Sequence, residues 1–131
     1  MFIEQLDMDE KKALMRLLVY IAKADGKLVE EEKAFLSAYS TENDISIDLE
    51  EEISIEEVCA HLQSSKGKIV ALQEIVKLAI VDGHYHEEER TGALAIAGLV
   101  NIEQARFEEI EKWVEDGKEW VERGLQMIND N

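Results

Sequence analysis

From Asp9 to Gly26 the apolar residues recur three and four positions apart. Ala13, Leu14, Leu17, Leu18, Ile21 and Ala22 share one face, and Val19 and Tyr20 widen it. That is the spacing of a helix burying a broad stripe. Asp7 or Asp9 can cap its start, Asp7 with Glu10 fitting a D-x-x-E box. Gly26 ends it, because a left-handed residue closes a helix most easily without a side chain. A shorter helix is expected from about Glu30 to Tyr39, burying Ala34, Phe35 and Ala38. The stretch "ISIDLEEEISI" alternates briefly, as a strand does. Ser54 with Glu57 fits a capping box, however, and Ile53 with Val58 the accompanying hydrophobic staple, so short helices are expected at about 48–53 and 55–63. Ser65 opens "KGKIVALQEIVKLAIVDG", apolar on nearly every side beyond Ile69, which marks a central helix. Another helix runs from roughly Glu87 to Leu99.

Asn101 and Gln104 are expected to cap the last segment. There Ile110, Trp113, Val114, Trp120, Val121, Leu125 and Ile128 keep one stripe. The reading is one long helix to about Met127, with close backbone contact at Gly117 and Gly124. A break at Gly117 is the alternative, since an interior glycine costs roughly 1 kcal/mol relative to alanine.

Asp25-Gly26 placed over Asp82-Gly83 brings two helices into register. Leu18 meets Ile75, Val19 meets Val76, Ile21 meets Leu78 and Ala22 meets Ala79. After the turn Leu28 meets Tyr85, Glu30 to Glu32 meet Glu87 to Glu89, and Lys33 meets Arg90. Each unit, about 10–39 and 66–99, is a buried helix, a D-G-x-φ-x-x-E-E turn and a second helix. Two such hairpins bury their long helices against each other about a pseudo-twofold axis. The expectation is one all-α domain over 1–131, a bundle of about six to seven helices.

Composition narrows the function classes. The 131 residues are 46% hydrophobic and contain no proline, which suits one helical core. Asp and Glu number 30 against 14 Lys and Arg, a formal net charge of −16. With no basic cluster, nucleic-acid binding is excluded, and an anionic membrane surface repels such a chain. Cations and basic protein surfaces stay compatible, as does a charge that serves solubility alone. The N-terminal "MFIEQLDMDEKK" lacks the features of a signal peptide, and no apolar run reaches the ~20 residues needed to span a bilayer. The single Cys59 forms no internal disulfide, which fits a reducing compartment and a cytoplasmic location.

The turns carry the candidate chemistry. Gly26 to Glu32 and Gly83 to Glu89 have the separation of positions six and twelve in an EF-hand loop. Positions one and three would be Ile21 and Lys23, then Leu78 and Ile80, which offer no side-chain carboxylates, so an ordinary EF-hand is rejected. With Val29 and His86 as N-caps, Glu32 and Glu89 can each bond back to the N-cap amide. Asp25 and Asp82 fit the helix dipole poorly, since an acid at a helix C-terminus faces its negative end. Either amides in their own turns or a cation compensates them. His84 and His86 add nitrogen ligands that, with Asp82 and Glu89, suit zinc or another borderline metal; exposed polar histidines are the plain alternative. Cys59 with His61 is a weaker pair, and Cys59 reads as a small core residue. No G-x-S-x-G, phosphate-cradling loop or H-E-x-x-H supports catalysis. Trp113 and Trp120 fit core packing, with a partner groove as the alternative.

The duplicated pattern in "IAKADGKLVEEEKAFL" and "LAIVDGHYHEEERTGAL" resembles the TerB-like family of tellurite-resistance proteins, related to the N-terminal domain of DnaJ-like membrane co-chaperones. The resemblance implies an all-α bundle and a role in tellurite or other chemical stress, alongside membrane-associated and metal-binding partners. It carries the family's recurring acids onto Asp25, Glu32, Asp82 and Glu89. The Ser or Thr often found at the second helix's N-cap is Val29 or His86 here. The function expected is a non-enzymatic module binding a partner protein and a divalent cation, without inserting into the membrane itself. The alternative is a metal-dependent hydrolase or metal-sequestering protein built on the same turns, with His84 and His86 as added ligands.

Overall fold

The computed structural model describes residues 2–130. A 3-10 turn at Ile3–Gln5 precedes six helices: α1 Met8–Ala22, α2 Glu30–Asn43, α3 Ile55–Cys59, α4 Ser65–Ala79, α5 Glu87–Leu99 and α6 Gln104–Asn129. The all-α expectation holds, and no strand occurs among the described residues. None of these helices is long and apolar enough to cross a membrane.

Helices α1 and α4 pack on each other at the centre, with α2 against α1 and α5 against α4. Leu14, Leu17, Leu18 and Ile21 from α1 meet Leu72, Ile75 and Leu78 from α4 in one cluster of fully buried side chains. Each such side chain contributes about 1.5–3 kcal/mol of transfer free energy, so this contact fixes the hairpins relative to each other. Helix α6 closes the bundle through Phe107, Ile110 and Val114.

The internal repeat extends beyond the turns, to the caps on either side. Asp7 caps α1 in a complete box: Glu10 N donates to Asp7 Oδ1 at 2.8 Å and Asp7 N donates to Glu10 Oε1 at 3.2 Å. Ser64, at the equivalent place, caps α4 by accepting from Gly67 N at 2.9 Å. Both second helices end on a left-handed residue, Asp44 (φ 53°) after α2 and Asn101 (φ 62°) after α5. In each case the next amide reaches back five residues, Ile45 N to Ser40 O at 3.1 Å and Ile102 N to Ala97 O at 2.8 Å. This is the Schellman closure. The correspondence thus runs from Asp7 to Asp44 and from Ser64 to Asn101, wider than the apolar pattern alone indicates. At the helix starts the copies interlock: Ser64 Oγ donates to Glu10 Oε2 at 2.7 Å.

Several elements depart from the expectation. Helix α2 runs on to Asn43, and its inward face is Glu32, Leu36 and Tyr39. Ala34 and Ala38 are exposed and Phe35 is half-buried. The helix is rotated so that a glutamate points in, which an apolar count cannot foresee. No helix forms at 48–53. Asp48 instead accepts from Glu50 N at 3.0 Å, Lys23 Nζ donates to Leu49 O, and Ile45, Ile47, Leu49 and Ile53 turn toward the core from irregular backbone. The helix expected at 55–63 stops at Cys59, and the Ser54–Glu57 box is absent, Ser54 Oγ bonding Glu56 at 3.2 Å. Cys59 is buried, as expected of a small core residue. Asn101 closes α5, while Glu103 occupies the N-cap of α6 and makes no side-chain cap bond.

Helix α6 is continuous through Gly117, but Gly117 and Gly124 touch nothing: a Cβ at either meets no atom within 4 Å. Trp113 and Trp120 are exposed, contrary to the core reading: Trp113 lies on the outward face of α6 beside the buried Val114, and Trp120 lies beyond Val114, the last buried side chain of the helix.

Candidate metal centre

Each turn begins where the first helix of its hairpin ends. Gly26 (φ 79°) and Gly83 (φ 89°) take the left-handed conformation expected of a glycine that closes a helix. The aspartate before each glycine then folds onto its own turn. Asp25 Oδ1 accepts from Lys27 N at 3.0 Å, and Asp82 Oδ1 accepts from His84 N at 2.9 Å. Only one oxygen of each is used this way. Asp25 Oδ2 lies 3.9 Å and Asp82 Oδ2 3.5 Å from the same atom, His86 Nε2. The amide reading and the cation reading therefore concern different oxygens of one carboxylate. The two turns face each other because α1 and α4 pack together along their length and end side by side.

The glutamates behave unequally. Glu32 Oε1 accepts from Val29 N at 3.2 Å, the expected half of a capping box. Glu89 makes no such bond to His86. It is fully buried, and neither of its carboxyl oxygens has a hydrogen-bond partner. One ligand atom each from Asp25, His86 and Glu89 lie within 4.8 Å of one another. Glu89 thus projects into the gap between the turns, where its purpose in capping is given up.

The electrostatics follow from this crowding. Burial, first, and then Glu32, Asp25 and Asp82 push the Glu89 carboxyl up to about 9. That crowding keeps a proton on Glu89. Asp82 moves the other way. Burial pulls it upward, but the His84 amide and the imidazoles of His86 and His84 outweigh this and hold it below its ordinary value.

His84 is placed apart. Its ring is exposed and 6.1 Å from that of His86, outside the group formed by Asp25, His86 and Glu89. Of the six residues singled out in the sequence, Asp25, His86 and Glu89 converge and Asp82 reaches His86, while Glu32 caps its own helix and His84 stands apart.

A clamp between α5 and α6 holds α5 in place. Arg90 Nε and Nη2 donate to Glu111 Oε2 and Oε1 at 2.9 and 3.0 Å, and the guanidinium stands 5.8 Å over the Phe107 ring. This clamp fixes the residue after Glu89 to α6. Beside it the Tyr85 hydroxyl is buried without a partner, and burial and the Glu111 charge keep its proton on. The equivalence of Lys33 with Arg90 was visible in the repeat. Glu111 was not, because nothing local marks a pairing across 21 residues.

Neither the family models, the curated proteins nor the solved structures include a significant match to this chain.

Proposed function

We propose that this chain is a non-enzymatic TerB-like module that holds one divalent cation between its two acidic turns and serves a partner protein in a chemical stress response. The observation that carries the cation is Glu89. A carboxyl with no exposure and two unpartnered oxygens is costly to bury, by roughly 1–3 kcal/mol even before charge is counted. A cation bridging Glu89, Asp25 and His86 compensates that cost, and Asp82 and Glu32 stand behind them. The resemblance of the two turn sequences to the TerB-like family supports the same reading. Full burial of Glu89 favours holding an ion over presenting it to a substrate, which sets sequestration ahead of hydrolysis.

His86 makes the donor set mixed. Calcium takes six to eight oxygens, whereas an imidazole nitrogen among carboxylates suits zinc or manganese. Calorimetric titration with calcium, zinc and manganese tests the reading, repeated on Asp25→Asn and Asp82→Asn. The expected result is one cation per chain, with zinc and manganese ahead of calcium and both variants at least tenfold weaker. No heat with any of the three ions removes the cation from the proposal.

A further inference from the structure

We propose that α6 is a self-association element: two copies of this chain pair antiparallel along 116–129, each copy's Val121 and Ile128 seating on the other's Gly124 and Gly117.

Beyond Val114 no side chain of the helix is buried, Lys118 Nζ reaching back to Ile80 O at 3.4 Å, while its apolar stripe continues. Trp120 is 71% and Ile128 72% exposed, with Val121 and Leu125 more than half exposed. An isolated helix of about this length is marginal in water, so a projecting apolar helix calls for a partner. The stripe keeps heptad spacing. Val114, Val121 and Ile128 form one row seven apart, and Ile110, Gly117 and Gly124 form the other. The first members of both rows are spent on the bundle core, where Ile110 and Val114 are buried. The later members are branched side chains in one row and open notches in the other.

The notches identify the occupant. No atom lies within 4 Å of a Cβ built on Gly117 or Gly124, so each glycine leaves room on an apolar surface. Take a midpoint between Glu122 and Arg123. Val121 lies as far before it as Gly124 lies after it, and Gly117 as far before it as Ile128 after it. One antiparallel register therefore places both branched side chains on both notches at once, and glycine lets the backbones approach closely. Trp120 borders this seam on one side and Leu125 on the other. A surface that matches itself under a twofold rotation is what an isologous dimer requires. Trp120, Val121, Leu125 and Ile128 together expose roughly 500 Å² per copy at ordinary side-chain areas, so a pair reaches about 1,000 Å², the size a specific interface has to clear. The net charge of −16 on each copy opposes pairing, and salt screens it, so association belongs at about 0.15 M ionic strength or above.

Sedimentation equilibrium of the whole chain, at concentrations up to about 200 μM, reads the association directly. Twice the 14.9 kDa chain mass is expected, with Val121→Glu returning a monomer of unchanged helical content. Single cysteines then read the register under a mild added oxidant. Val121→Cys and Gly124→Cys lie close to the twofold axis and cross-link. Gly117→Cys stands about 16 Å along the helix from its copy and does not. A monomer at every concentration overturns the proposal and leaves the face to a different partner. A dimer untouched by Val121→Glu, or a Gly117→Cys variant that cross-links as readily as Val121→Cys, overturns it too.

Discussion

Asp25, in the first turn, and His86, in the second, meet across the gap between the turns, with Asp25 Oδ2 3.9 Å from His86 Nε2. Asp82 reaches the same nitrogen at 3.5 Å from within its own turn. The place of His86 in the first unit is taken by Val29, so the repeat is symmetric in its acids and asymmetric in its nitrogen. A duplicated hairpin supplies two carboxylate turns facing one another. A single histidine then biases what they hold.

Replacing that histidine is expected to change selectivity more than affinity in general. His86→Ala removes the one nitrogen near the Asp25 and Glu89 oxygens and leaves all four carboxylates. Zinc binding should fall by at least tenfold, while calcium binding changes by less than threefold. Titrations of the two ions against wild type and variant measure the ratio. Equal losses for both ions show that His86 is no ligand.

Glu89 couples the site to pH. Its carboxyl is pushed up to about 9 by burial and by the surrounding acids, against an ordinary value of 4.5. Between these values the folded chain keeps a proton that the unfolded chain gives up. Stability without added cation should therefore fall as pH rises through that window. Thermal unfolding in a chelator from pH 5 to pH 9 should show this decline, and Glu89→Gln should flatten it. A cation displaces the same proton, so calorimetry at pH 7 in buffers of different ionisation enthalpy should find close to one proton released per ion. Zero release would separate Glu89 from the site.

How far the sequence discloses this arrangement differs from element to element. The Asp-Gly register located both turns and both second helices, because a left-handed glycine after an apolar helix is a local signal. The caps followed the same repeat unnoticed, since Asp7 and Ser64 share a role and no side-chain chemistry beyond an acceptor oxygen. The segment 48–53 reads as a helix because its glutamates, with Leu49 and Ile53, fit one locally, while Asp48 and, from outside, Lys23 satisfy its backbone. Glu32 and Glu89 look identical in sequence. Only packing shows that one caps its helix and the other is left without a partner. Solvent exposure of α6 beyond Val114 was likewise hidden, since an apolar stripe looks the same whether it is covered by its own chain or by another.

Glu111 and Arg90 should prove strongly coupled. Glu111 is nearly buried and accepts two guanidinium bonds, so Glu111→Ala leaves Arg90 with only the longer, exposed contact to Glu108 at 3.7 Å. A loss of about 1.5–3 kcal/mol is expected in urea unfolding, the range for hydrogen bonds to charged groups. The Arg90→Ala, Glu111→Ala double variant should lose distinctly less than the sum of the single variants. Additive losses would show that the clamp contributes no pairwise stability.

The interlock of the two copies at their helix starts gives the sharpest packing test. A Cβ on Gly67 would stand 2.0 Å from Glu10 Oε2 and 2.7 Å from Ser64 Oγ. The Glu10 carboxyl end is the part able to yield. To do so it must surrender its bonds from Asp7 N and Ser64 Oγ, at 3.2 and 2.7 Å, and Glu10 itself is buried. Alanine is normally the better helix former by about 1 kcal/mol, so propensity alone makes Gly67→Ala stabilising. The clash reverses the sign, and a net loss of about 1–3 kcal/mol is expected. In a Glu10→Ala background the obstacle is gone, and Gly67→Ala should become neutral or favourable. Equilibrium unfolding of the four chains of this cycle decides it. A Gly67→Ala effect of equal size in both backgrounds would mean that Glu10 is not what requires the glycine.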